Sequence, residues 1–218
     1  MKTIKISVVG MVLSLVMPLF AMGQKTIRYG VEAGMDLSHP TDYARTTGVG
    51  FHVGVTGEYD FQSADKGWFV ATGLGLVSKP WKSETFLTPK DGYSLSEDAT
   101  PYYLRLPISI GYRFGLTEQL GLQINTGLYA AVGLFGKSTQ SETIKTDDGN
   151  RNFENKVDCF GSNNLYKQFD WGWTSSIGLQ YATHWQLKAT LDYQFNSFAR
   201  GTSDFKNLVV GLGVSYMF

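Results

Sequence analysis

The chain has 218 residues, 19 basic and 19 acidic side chains, 25 glycines, 14% aromatic and only 17% charged residues. That length suits one domain large enough for a closed sheet, and the even charge leaves no basic footprint for nucleic acid. A lone Cys159 forbids an intrachain disulfide and, with three scattered histidines, gives no metal-ligand spacing, so no cofactor is expected.

The first segment reads MKTIKISVVGMVLSLVMPLFAMGQ. Lys2 and Lys5 precede an apolar stretch from Ile6 to Phe20, and small Ala21 and Gly23 precede Gln24. These are the parts of a secretory signal, expected at 1–23, with the mature domain at 24–218. No cysteine follows that cut, which argues against a lipid anchor.

Period-two alternation governs the rest. Eight runs stand out, near 26–37, 49–61, 67–78, 102–114, 119–135, 169–181, 184–196 and 206–218. Most are longer than the usual strand of about 5–6 residues and match the roughly 9–11 that a tilted membrane strand needs. Their connections alternate in length. Short turns fall at 62–66, 115–118 and 182–183, and longer loops at 38–48, 79–101, 136–168 and 197–205. This alternation predicts an all-β, eight-stranded, antiparallel, up-and-down transmembrane β-barrel.

Parity assigns the two faces. The fourth run sets Leu104, Leu106, Ile108 and Ile110 against Arg105, Pro107, Ser109 and Gly111. The seventh sets Trp185, Leu187, Ala189 and Leu191 against Gln186, Lys188, Thr190 and Asp192. Eight strands enclose only enough room for side chains, so small and polar residues are expected inside and bulky apolar ones in lipid. Aromatics cluster at both ends of the apolar parity, as two interfacial belts require. Phe69, Tyr103, Tyr129 and Phe135 break the pattern and are expected to plug the lumen or its mouth. Pro107 lacks a ladder donor and predicts a local bulge.

The lumen parity carries Arg28, Glu32, Asp36, Glu58, Arg105, Arg113, Asp170, Lys188 and Asp192, with His52 and Asp60 beside them. Opposite charges in so narrow a space must pair, and a first hairpin centred near Tyr43 puts Arg28 opposite Glu58. This polar network is read as structural. Ser38 and His39 lie in a loop, His52 in the lumen and His184 at a turn, so no nucleophile, base and acid converge and no catalysis is expected. Asp147, Asp148, Asn150 and Asn152 read as a solvated turn in preference to a weak calcium loop. GLGL and GLGV lack the helix of a phosphate loop. Loop aromatics Trp81, Phe86, Tyr93, Phe153 and Phe160 either meet partners or fold over the mouth.

Four stretches, YGVEAGMDLS, YYLRLPISIGYRF, FDWGWTSSIGLQYATHWQLKATLDYQF and NLVVGLGVSYMF, resemble the outer-membrane β-barrel domain family that includes PorT-like small barrels. The resemblance implies a cell outer-membrane location in the lipid bilayer, and the terminal aromatic resembles the signal read by barrel-assembly machinery. An even strand number puts both termini in the periplasm and the long loops outside the cell, where an extracellular ligand or protein is the expected partner. The expected role is structural or interactive. A narrow pore or an accessory of transport or protein secretion is the alternative, and a secreted, soluble, lipocalin-like ligand-binding barrel a lower one.

Overall fold

The computed structural model describes residues 27–41, 45–88, 93–146, 149–161, 166–198 and 205–218. The expected export segment, 1–23, lies outside them. Ten strands form in chain order: β1 (Ile27–Pro40), β2 (Arg45–Asp60), β3 (Gly67–Ser78), β4 (Trp81–Thr88), β5 (Tyr93–Gly115), β6 (Leu120–Thr146), β7 (Gly149–Asp158), β8 (Phe169–Tyr181), β9 (Trp185–Gln194) and β10 (Asn207–Met217).

Eight of these close a ring. β1 pairs with β2, β2 with β3, β3 with β5, β5 with β6, β6 with β8, β8 with β9, β9 with β10, and β10 returns to β1, each antiparallel. The eight-stranded ring is the one the alternation predicts. β4 and β7 are additional. They lie in the stretches read as loops, 79–101 and 136–168, which are hairpins of β4 with β5 and β6 with β7. At about 3.4 Å per residue, the 23 residues of β5 and 27 of β6 run far beyond a hydrocarbon layer about 30 Å thick. Their ends project past the barrel.

The wall is apolar outside and polar inside. Leu212 is 60% and Leu187 46% exposed, whereas the Lys188 side chain, of the opposite parity, is 13% exposed and ion-paired. A soluble ligand-binding barrel requires the opposite arrangement. Two aromatic girdles ring the outer wall. At the end bearing the short turns, Tyr29 packs on Phe218, Trp68 on Tyr112 and Trp185 on Tyr216, with centroids 4.9–5.5 Å apart. At the other end Phe51, Tyr102 and Phe135 follow one another, and Trp171 meets Phe195.

Two expectations need correction. Phe135 does not plug the lumen but is 53% exposed on the outer wall. The ladder passes from Tyr102↔Phe135 to Tyr103↔Gly133, so Leu134 is a bulged residue and the parity of β6 inverts beyond it. Pro107 sits in no bulge. The β5–β6 register runs unbroken through Pro107↔Tyr129, and on its other side the Thr72 hydroxyl donates to the Pro107 carbonyl at 2.9 Å. The missing proline donor is absorbed by a gap in the β3–β5 ladder, which skips from Thr72↔Ile108 to Gly75↔Arg105 without changing register.

Candidate functional site

The lumen is filled in layers, and each layer follows from strand parity. Nearest the short turns, Arg28 (β1) lies directly opposite Glu58 (β2) in the ladder, and Arg113 reaches them from β5. Arg28 donates to Glu58 at 2.6 Å and Asp60 at 2.7 Å. Arg113 donates to the same two carboxylates at 2.7 and 2.8 Å. Two guanidinium forks thus bridge two carboxylates, and the cluster is neutral. The intervening strand, β3, contributes Phe69 rather than a charge, and the Arg113 guanidinium lies 4.5 Å from its ring centre. Arg28 also donates to the Thr183 carbonyl at 2.8 Å, and Gln180 to the Ala64 carbonyl at 2.8 Å. Two of the three short turns, at 62–66 and 182–183, are therefore tied to this layer. Residues 182 and 183 take the left-handed backbone, with φ of 48° and 62°, inside a turn closed by the His184 N–H donating to the Tyr181 carbonyl at 3.2 Å, and the ladder resumes at Tyr181↔Trp185.

The middle layer surrounds a chamber of about 90 Å³. Lys188 pairs with Glu32 at 3.0 Å, Arg105 with Asp192 at 2.8 Å, and His52 contacts Asp36 at 2.9 Å. Arg105 donates to Thr174 as well. Arg105 Nε and Ser215 Oγ have no protein partner here. Gly34 lies opposite Gly213 on one side and His52 on the other, and a Cβ at Gly213 would stand 2.7 Å from the imidazole. The glycines make room for the ring.

Above the chamber Asp170 accepts from Lys79 at 2.5 Å and from the Tyr129 hydroxyl at 3.1 Å. The rings of Tyr103 and Tyr129 flank the Lys79 ammonium at 5.3 and 4.9 Å. Lys79 is a further lumen residue, one position past the end of the third alternating run at Ser78. Its parity is that of Phe69, Ala71, Gly75 and Val77, and this continuation is the signal that marks it. Phe69, Tyr103 and Tyr129 are buried inside as expected.

The mouth is apolar. Trp81, Ala99, Cys159, Tyr166 and Phe198 form a buried cluster with Phe160 and Phe205 against it. Phe160 then packs edge-on to Tyr103, joining mouth to lumen. Glu97 accepts from Ser138 at 2.6 Å and from the Tyr166 hydroxyl at 2.5 Å. Burial pushes the Cys159 thiol up to about 12 and the Tyr166 hydroxyl above its ordinary value. Among the loop aromatics, Trp81 and Phe160 fold over the mouth while Phe153 points out, 55% exposed.

The structure brings all nine charges named from the sequence into the lumen, in three groups: Arg28, Glu58 and Arg113; Glu32, Lys188, Asp36, Arg105 and Asp192; and Asp170 with Lys79. The remaining histidines stand apart. His39 contacts Thr47, and His184 contacts the Ala182 carbonyl. Ser38 is buried and accepts from Asn207 at 2.7 Å. Asp147 and Asp148 lie outside the described residues, and Asn150 and Asn152 belong to β7. Among the described residues no three acidic, histidine or cysteine side chains gather as metal ligands.

The family model described as "Outer membrane protein beta-barrel domain" matches residues 20–200. Searched against curated proteins, the sequence matches none. Among solved structures, the chain is similar to Ail, the attachment invasion locus protein of Yersinia pestis, at 14% identity and a TM-score of 0.43, over 89% of this chain and 100% of that one. It is also similar to the outer membrane protein OprG from Pseudomonas aeruginosa, at 16% identity and a TM-score of 0.43, over 90% and 98%. Neisserial surface protein A is similar at 12% identity and a TM-score of 0.40, over 87% and 97%.

Proposed function

The chain belongs to the outer membrane protein beta-barrel domain family, and from that premise we propose that it is a non-conducting, non-catalytic barrel acting through its long hairpins. The carrying observation is the filled lumen. Arg28, Arg113, Glu58 and Asp60 pack across one end, and Lys79, Asp170, Tyr129 and the Trp81 cluster across the other. A pore needs a hydrated path between them, and buried side chains stand across the lumen at both ends of the chamber. The charged lumen residues act as a structural plug, each ion-paired with a neighbour of opposite sign.

In this reading residues 1–23 direct export, both termini lie in the periplasm, and the β4–β5 and β6–β7 hairpins stand outside the cell. The last strand, with Tyr216 and Phe218 on the girdle, is what barrel-assembly machinery recognises. The projecting hairpins meet an extracellular ligand or protein. Planar-bilayer recording on the purified chain tests the core of this. A plugged barrel gives no steady unitary currents; steady channels would move the assignment to a narrow pore or transport accessory.

A further inference from the structure

The projecting sheet has an open edge at β7. Among the described residues β7 pairs with β6 alone, and residues 151–156 are exposed on both faces of the strand. A strand with one free row of backbone donors and acceptors is a template for a further strand.

We propose that β7 pairs, antiparallel, with β7 of a second copy of this chain held in an opposing membrane. The argument rests on the charges of NRNFENKVD. In an antiparallel ladder of identical strands, opposite residues share a face and hence a parity, so only registers centred on a residue are allowed. Centred on Asn155, Glu154 faces Lys156 of the second copy and Lys156 faces its Glu154, while Phe153 faces Val157. That register pairs 152–158. Centring on Glu154 or Lys156 sets like charges against each other. Centring on Phe153 leaves both charges against asparagines. Centring on Val157 matches Lys156 with Asp158 but pairs only 156–158, because β7 ends at Asp158. A parallel, in-register pair sets every charge against its own copy. In the single chain Glu154 and Lys156 already bond each other at 3.0 Å; pairing extends this to four alternating charges.

The symmetry fixes where the second copy sits. The two-fold axis of an antiparallel pair is perpendicular to the sheet. Barrel strands tilt only about 35–45° from the membrane normal, so that axis lies near the membrane plane. The rotation inverts the second barrel and turns the two mouths toward each other. The contact therefore links chains in two membranes, and neighbours in one membrane cannot make it.

This inference rests on the hairpins standing outside the cell, and the experiment separates the two. Asn155→Cys is introduced into the full chain with two different tags, expressed in separate cell cultures. Asn155 faces itself in the proposed register, within disulfide reach, and buried Cys159 is silent. A membrane-impermeant maleimide should label the introduced thiol on intact cells; no labelling overturns the orientation and with it the reading above. After mixing and mild oxidation, a disulfide should join the two tags. Labelling without a mixed-tag disulfide overturns the homotypic contact alone. E154K and K156E should each weaken self-pairing about tenfold, from two reversed cross-strand pairs. Mixing E154K cells with K156E cells should restore it, since each charge then meets its opposite. Failure of that rescue overturns the proposed register.

Discussion

Replacing Arg113 by methionine should be among the most destabilising single changes in the barrel. Its side chain is fully buried and holds Glu58 and Asp60 at 2.7 and 2.8 Å, with the Phe69 ring against its guanidinium. Without it, Arg28 alone faces two carboxylates that are 3% and 1% exposed, and one buried negative charge goes unmatched. Breaking one partner of a buried ionic cluster costs about 3–5 kcal/mol. Removing Asp60's charge as well, as Arg113→Met with Asp60→Asn, leaves the neutral Arg28–Glu58 pair at 2.6 Å. The double variant should then lose only about 1–2 kcal/mol, the worth of the missing hydrogen bonds. The assay is urea unfolding of chain refolded in detergent micelles, followed by tryptophan fluorescence and by the mobility shift of folded barrel on a gel. A double variant no more stable than Arg113→Met would refute the reasoning, because it would show that the stray charge is solvated or protonated at little cost.

Two further predictions use the packing directly. Cys159, its thiol raised to about 12 by burial, carries roughly one thiolate per ten thousand molecules at pH 8. Maleimide should spare it in the folded chain, modify it promptly in urea, and begin to modify the folded chain only as pH approaches that value; rapid modification of folded protein at pH 8 contradicts the buried mouth. Gly54→Ala should cost about 1–3 kcal/mol, since its Cβ would stand 2.6 Å from the Leu74 carbonyl oxygen and 2.7 Å from the Gly75 Cα. Gly57→Ala, whose Cβ meets nothing closer than 3.9 Å, should change stability in urea by no more than about 0.5 kcal/mol; equal effects at both positions would contradict the assigned faces.

The barrel was legible because a membrane wall writes its two environments into alternate residues. Leu187 and Lys188, or Leu212 and Gly213, declare their sides at once. The Arg28 and Glu58 opposition was legible from a hairpin centre alone. The projecting strand β7 was not, because it is wet. A strand such as GNRNFENKVD, exposed on both faces along most of its length, has no burial contrast to alternate. Phe135 was misplaced because a single bulged residue, Leu134, inverts parity without any mark in composition. Lys79 was missed because its chain neighbours Pro80 and Trp81 read as loop, although its parity was that of the lumen. The mouth cluster of Trp81, Tyr166 and Phe198 joins residues from three hairpins, a juxtaposition that only closure of the ring creates.

The central claim is that, in the eight strands of the ring, alternate residues look into lipid. The most direct measurement is photolabelling of the unaltered chain in vesicles containing a phospholipid with a diazirine in its acyl chain, mapped by tandem mass spectrometry along β10. Val210, Leu212 and Val214 should carry the label, and Val209, Gly211 and Ser215 should not. Label on the second set, or spread without period over both, would contradict the account.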